Sequence, residues 1–156
     1  MIEDASIVEG DDSKNEIRIT IVPPWYVKHC WEPASKFLDP AASRSNGRHD
    51  IDSLRIEIER GVQLLWIMFF GDDEMIGAFT TSVFRYPKRS IVSVAFAGGD
   101  GITNYREEAI GAISDYALEM NCDGIEVIGR KGWLRVLEPL GFEESFLVIE
   151  KDLKNG

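Results

Sequence analysis

Residues 126–142, "EVIGRKGWLRVLEPLGF", hold the reading that decides the fold. Glu126, Val127 and Ile128 complete "GIEVI", a run with the length and composition of a buried strand. Residues 129–132 make a turn. Trp133, Val136, Leu137 and Leu140 then recur at three- and four-residue steps, which gives a short helix one apolar face. Gly141 ends that helix, and "FEESFLVIEKDL" follows with the pattern of a final strand. The turn also raises a functional question. Arg130 belongs either to a working site or to a former site that has been filled in.

Upstream, "GDGITNYREEAIGAISDYALEMN" carries Ala109, Ile110, Ile113, Tyr116, Ala117 and Met120 as the apolar stripe of a long helix. Asn104 and Glu107 have the spacing of an N-cap and its N3 partner. Before that helix, three apolar runs are punctuated by turn residues. "VQLLWIMFF" is followed by "GDDE", "MIGAFTTSVFRY" by "YPKR", and "SIVSVAFAG" is the third.

Nearer the start, "EIRITIVP" alternates Ile17, Ile19 and Ile21 with Arg18 and Thr20, as a half-buried strand does. Pro24 can open a helix because its missing N–H would be unpaired there anyway. Val27, Cys30, Trp31, Ala34, Phe37, Leu38 and Ala41 form its inner face, and Pro33 is expected to kink or restart it. Asp50 is placed to cap a second helix with Ile51, Leu54 and Ile58 inward, and Gly61 suits the left-handed position past its end. The expected order is β-α-α-β-β-β-α-β-α-β. That is an α/β (α+β) domain with a central mixed sheet and helices on both faces.

The 156 residues suit one domain, expected over 15–156 behind an acidic, flexible arm over 1–14. The net charge is −10. Glu3, Asp4, Glu9, Asp11, Asp12 and Glu16 against Lys14 place about half of it in the first sixteen residues. Such a chain lacks the clustered cations that nucleic-acid phosphates require, and suits a cationic partner better. No apolar run reaches membrane-span length, and the first residues have neither the basic nor the apolar region of a secretory signal. Cys30 and Cys122 form no C-x-x-C pair and are expected as reduced, buried thiols. His29 and His49 have no metal-ligand spacing, so no metal is expected.

The element order, and the ending long helix, "GIEVI", short helix, "LGFEES", resemble the GNAT acyltransferases from about residue 15 to the C-terminus. "VQLLWIMFF", the "YP" turn and "GRKGWLRVLEPLGF" resemble, more narrowly, the small GNAT-like proteins of tailed phages. The resemblance implies acetyl-CoA as cofactor if the protein is active, and none if its site is degenerate. It implies a pyrophosphate site at the turn after the fourth strand, where helix N-terminal N–H groups hold anions. "GGDGIT" stands there. Gly98 replaces the usual Gln or Arg, Gly101 matches, Thr103 replaces a small residue, and Asp100 adds negative charge. Gly98, Gly99, Gly101, Ile102, Thr103 and Arg130 are therefore the candidate cofactor contacts. A glycine turn that only reverses the chain is the competing reading.

Aligned from Gly141, the family's usual Asn falls on Arg130, its small Ala on Trp133, and its acid Tyr on Leu137, which has no proton to give. "SIVSVAFAG" holds no carboxylate, and its serines are poor bases alone. Tyr86, Tyr105 and Tyr116, or Asp72, Asp73 and Glu74, could act from elsewhere, although Tyr116 lies on the apolar stripe. Arg130, with Lys131 and Arg135, could bind a phosphate, pair with a carboxylate of a neighbouring protein, or simply face solvent. Three functions stay open, the third and least favoured being a nucleotide- or CoA-sensing module that binds without turnover. One is a catalytically degenerate phage GNAT-like protein, binding protein partners in a virion or its assembly, or forming a homo-oligomer. Another is a CoA-dependent N-acetyltransferase with a divergent site. The expected location is correspondingly the host-cell cytoplasm or the virion.

Overall fold

The computed structural model describes residues 16–154. The arm expected over 1–14 lies outside the described residues. Five strands, β1 (Ile17–Val22), β2 (Leu64–Phe70), β3 (Glu74–Tyr86), β4 (Arg89–Gly99) and β5 (Gly124–Val127), form one sheet in that spatial order. The first four are antiparallel, and β5 runs parallel to β4. The β4–β5 connection is a helical crossover, as a parallel pair requires.

Among the described residues four α-helices flank the sheet: α1 (Val27–Ser43), α2 (Ile51–Glu59), α3 (Arg106–Glu119) and α4 (Gly132–Leu137). One core joins α1 and α2 to the sheet through Val27, Ala34, Leu38, Leu54, Leu65 and Ile67. The other joins α3 through Trp66, Met68, Val94, Ala109, Ile113 and Ala117. Alternate residues of β2 serve the two cores, which is why "LLWIM" is apolar at every position. No helix among the described residues is long and apolar enough to cross a membrane.

Local chemistry explains the element ends. Pro24 opens a short 3-10 turn, Pro24–Tyr26, that leads into α1. α1 then runs unbroken through both Pro33 and Pro40. Both prolines are exposed, as are His29 and Lys36 four residues earlier, so the carbonyls that lose a donor can face water. The expected restart at Pro33 is not needed.

At α2 the Asp50 carboxylate accepts from Ser53 N at 2.8 Å, and Ser53 Oγ accepts from Asp50 N at 3.1 Å. This reciprocal cap holds the Asp50 carboxyl below its usual range, chiefly through the Ser53 N–H bond. Gly61 takes the left-handed position just past α2 with φ +78°. The cap expected at Asn104 is displaced. Asn104 is absorbed into a 3-10 turn, Ile102–Asn104, and α3 starts at Arg106 without a side-chain cap. Both thiols are free, Cys122 buried and Cys30 half-buried.

The final strand is not formed. Among the described residues, the chain after the 3-10 turn Glu138–Leu140 joins no sheet. A strand pattern becomes a strand only when an edge accepts its hydrogen bonds, and residues 143–151 form no backbone hydrogen bond with a described residue.

Candidate active site

The site is built where β4 parts from β5. Their register ends at Val94 opposite Val127, and Ile128 N donates to Val94 O at 2.9 Å as the last tie. At the same point β4 bulges. Thr81 pairs Val94 and Thr80 pairs Phe96, so Ala95 has no partner on β3, and it lies beyond the last β5 pair. A bulge leaves one peptide out of the ladder and re-aims the strand, here at the mouth of the split.

The slot beyond the split is lined by Val94, Ala97 and Gly98 of β4, by Ile102, Arg106 and Ile110 on the α3 side, and by Trp133 and Leu137 of α4. Its cavity is about 40 Å3, room for one or two waters. Two contacts narrow it. The Trp133 indole lies on Gly129, and Arg106 Nη1 donates to Val136 O at 3.1 Å across the mouth. Leu137, aligned with the family's tyrosine, does line the slot.

The glycine turn is set by close packing. A β-carbon at Gly98 would stand 2.0 Å from Phe37 O of α1, and one at Gly99 would stand 2.7 Å from the Tyr105 hydroxyl. Gly101 has φ +66°, where other residues are strained. Asn104 N and Tyr105 N close the 3-10 turn on Gly101 O and Ile102 O. The N–H groups of Gly101, Ile102, Thr103, Arg106, Glu107 and Glu108 find no acceptor among the described residues. They form a potential anion cradle opposed by the carboxylates of Asp100, Glu107 and Glu108 in the same segment.

The sequence candidates separate accordingly. Gly98 and Ile102 line the slot, and Gly99, Gly101 and Thr103 form the turn beside it. Arg130 is exposed and outside the slot lining, and its carbonyl accepts from Trp133 N at 3.0 Å at the start of α4. The cation at the slot is Arg106 instead. Its place in the first turn after "GGDGITN" was the available signal.

Three tyrosines were candidate acids. Tyr105 is buried, its hydroxyl shared between Ile76 O at 3.2 Å and Asp100 O. Burial, and secondarily the Asp100 charge, pushes its pKa up to about 12. Tyr116 is packed edge-on to Trp66 with ring centres 5.4 Å apart, and Tyr86 lies exposed at the β3–β4 hairpin. None of them lines the slot. Asp72, Asp73 and Glu74 remain at the β2–β3 turn, where Asp72 O accepts from Arg18 Nη2 at 2.6 Å.

One polar chain was missed. On the α1–α2 side, His49 Nδ1 lies 2.8 Å from Ser53 Oγ, and His49 Nε2 lies 3.6 Å from Glu57 Oε1. Gln63 Nε2 donates to Glu57 Oε1 at 2.9 Å, and buried Thr80 donates to Gln63 Oε1 at 2.6 Å. The His49 ring meets Phe96, next to the bulge, edge-on at 5.4 Å. His49, Ser53 and Glu57 follow one another at four-residue steps, a spacing legible in the sequence.

No protein-family profile matches the chain, and no curated protein matches it. Solved structures match in fold. An aminoglycoside acetyltransferase from an uncultured soil metagenomic sample, in complex with sisomicin, superposes with TM-score 0.64 at 12% identity, covering 88% of this chain and 97% of that one. A possible acetyltransferase from Clostridium difficile 630 gives 0.61 at 17% identity, over 88% and 97%. A GNAT family acetyltransferase from Staphylococcus aureus gives 0.61 at 10% identity, over 88% and 98%. The chain has the mixed α/β fold of the GNAT acetyltransferases, as its element order led one to expect.

Proposed function

We propose that the protein transfers an acyl group from a coenzyme A thioester to a cationic amine. The observation that carries this is the coincidence of the Ala95 bulge with the parting of β4 from β5. A thioester carbonyl seated there meets a peptide outside the ladder, and a backbone N–H directed at a developing oxyanion stabilises acyl transfer. The glycine turn ahead of α3 offers unpaired N–H donors, and Arg106 a cation, to the cofactor's phosphates. Holding thioester and amine together supplies much of the rate without an acid at Leu137. We assign the amine's proton to His49, whose ring meets Phe96 beside the Ala95 bulge. The net charge of −10 draws a cationic acceptor, and sisomicin, bound by one neighbour, is of that chemical kind.

Calorimetry with acetyl-CoA, followed by thiol release in the presence of a polyamine, tests the proposal. Micromolar binding with release that falls at least tenfold in His49→Gln is expected. No binding at millimolar cofactor overturns it.

A second reading is favoured by Trp133, Leu137 and Arg106, which leave the slot only about 40 Å3. In that reading the fold binds a protein partner without turnover, as a component of a phage particle or its assembly. It requires that acetyl-CoA fail to bind even when the slot is enlarged.

A further inference from the structure

The segment that fails to become a strand is the most exposed apolar stretch among the described residues. Phe146, Leu147, Val148, Ile149 and Leu153 are 67–90% exposed. Its described side-chain tie to the rest of the fold is an ion pair between Arg48 and Glu150, both well exposed. Isolated apolar side chains on a surface need no explanation, but four in a row with unpaired backbone do.

The same structure leaves the complementary feature open. Among the described residues β5 is the last strand of the sheet, bonded to β4 on one side only. Every residue of β5 is half-buried, and Ile128 beyond it is 57% exposed. An edge of that kind presents a row of N–H and C=O groups to any strand-forming segment.

We propose that two copies of the chain exchange these segments, residues 143–151 of each pairing antiparallel with β5 of the other. The interface is two-fold and reciprocal, so both open edges and both exposed stretches are covered at once. Charge fixes the register. Placing Leu147 opposite Val127 and Ile149 opposite Ile125 sets Lys151 opposite Asp123 and carries Glu143 and Glu144 past the end of β5, on the side of the basic turn that holds Arg130 and Lys131. A slip of one residue either way sets Glu150 or Asp152 opposite Asp123, which repels. Directly opposed residues share a face. Leu147 and Ile149 therefore extend the core that Ile125 and Val127 form with α3. The basic cluster of Arg130 and Lys131 thereby gains a role that does not depend on the acyl-transfer reading.

Cross-linking and light scattering test this. The full chain is expected at twice 17.6 kDa, and the chain lacking 143–156 at its monomer mass. A background of Cys30→Ala and Cys122→Ala, with folding verified by circular dichroism, carries Val127→Cys in one sample and Leu147→Cys in another. Mixed and re-equilibrated, the two form a disulfide-linked pair on oxidation. Asp123→Lys alone weakens the dimer about three- to tenfold, and Lys151→Asp in the same chain restores it. A monomeric full chain, a dimer that survives loss of 143–156, or a Val127→Cys/Leu147→Cys double variant that closes within a single chain overturns the proposal.

Discussion

The indole of Trp133 lies against Gly129 so closely that a β-carbon there would stand 2.7 Å from its Cδ1. Turn and helix are thereby locked to each other, and Trp133 also lines the slot with Val94, Ala97 and Gly98 of β4. Trp133→Ala removes that block. Because Trp133 is only half-buried, the stability loss measured by urea denaturation is expected near 2 kcal/mol, below that of a fully buried tryptophan. Acetyl-CoA affinity, measured by calorimetry, is expected to rise. An unchanged affinity would mean that the slot is not where the cofactor lies.

Gly98 faces the backbone of α1 rather than a side chain that could yield. Its β-carbon would come within 2.0 Å of Phe37 O. Gly98→Ala is expected to lower stability by about 3 kcal/mol, the upper range for overpacking, with the loss visible as an earlier denaturation midpoint. Gly132→Ala, with open space around its β-carbon, serves as the control.

The Tyr105 hydroxyl ties the glycine turn to β3 through Ile76 O and Asp100 O. Tyr105→Phe is expected to cost about 1–2 kcal/mol at neutral pH. Its folded pKa, about 12, lies above the ordinary value of 10 for an unfolded tyrosine. Stability from this group is therefore complete below pH 10 and is lost as pH rises from 10 to 12, by up to about 1.4 kcal/mol per pH unit. The difference between wild type and Tyr105→Phe in urea midpoints from pH 8 to 11.5 should shrink across that window.

Ser93 is 2% exposed on β4, and its hydroxyl has no hydrogen-bond partner among the described residues. A buried hydroxyl without a partner opposes folding. Ser93→Ala is expected to leave stability unchanged or raise it by about 1 kcal/mol, and to leave any acyl transfer intact. A large loss in thermal or urea denaturation would show that the hydroxyl has a partner in solution.

The sequence by itself determined the elements and the faces they bury. Apolar runs in "LLWIM" and "IVSV" announce strands covered on both sides, and the Asp50–Ser53 cap is local chemistry within four residues. Such features depend on neighbours along the chain, so spacing reveals them. The Ala95 bulge, Arg106 reaching Val136 O, Trp133 seated on Gly129, and the approach of His49 to Phe96 depend on how elements pack. The segment "SFLVIE" makes the distinction plainest. Its alternation and β-branched residues specify a strand, but a strand also needs an edge to supply hydrogen bonds, and only tertiary placement decides whether that edge is its own.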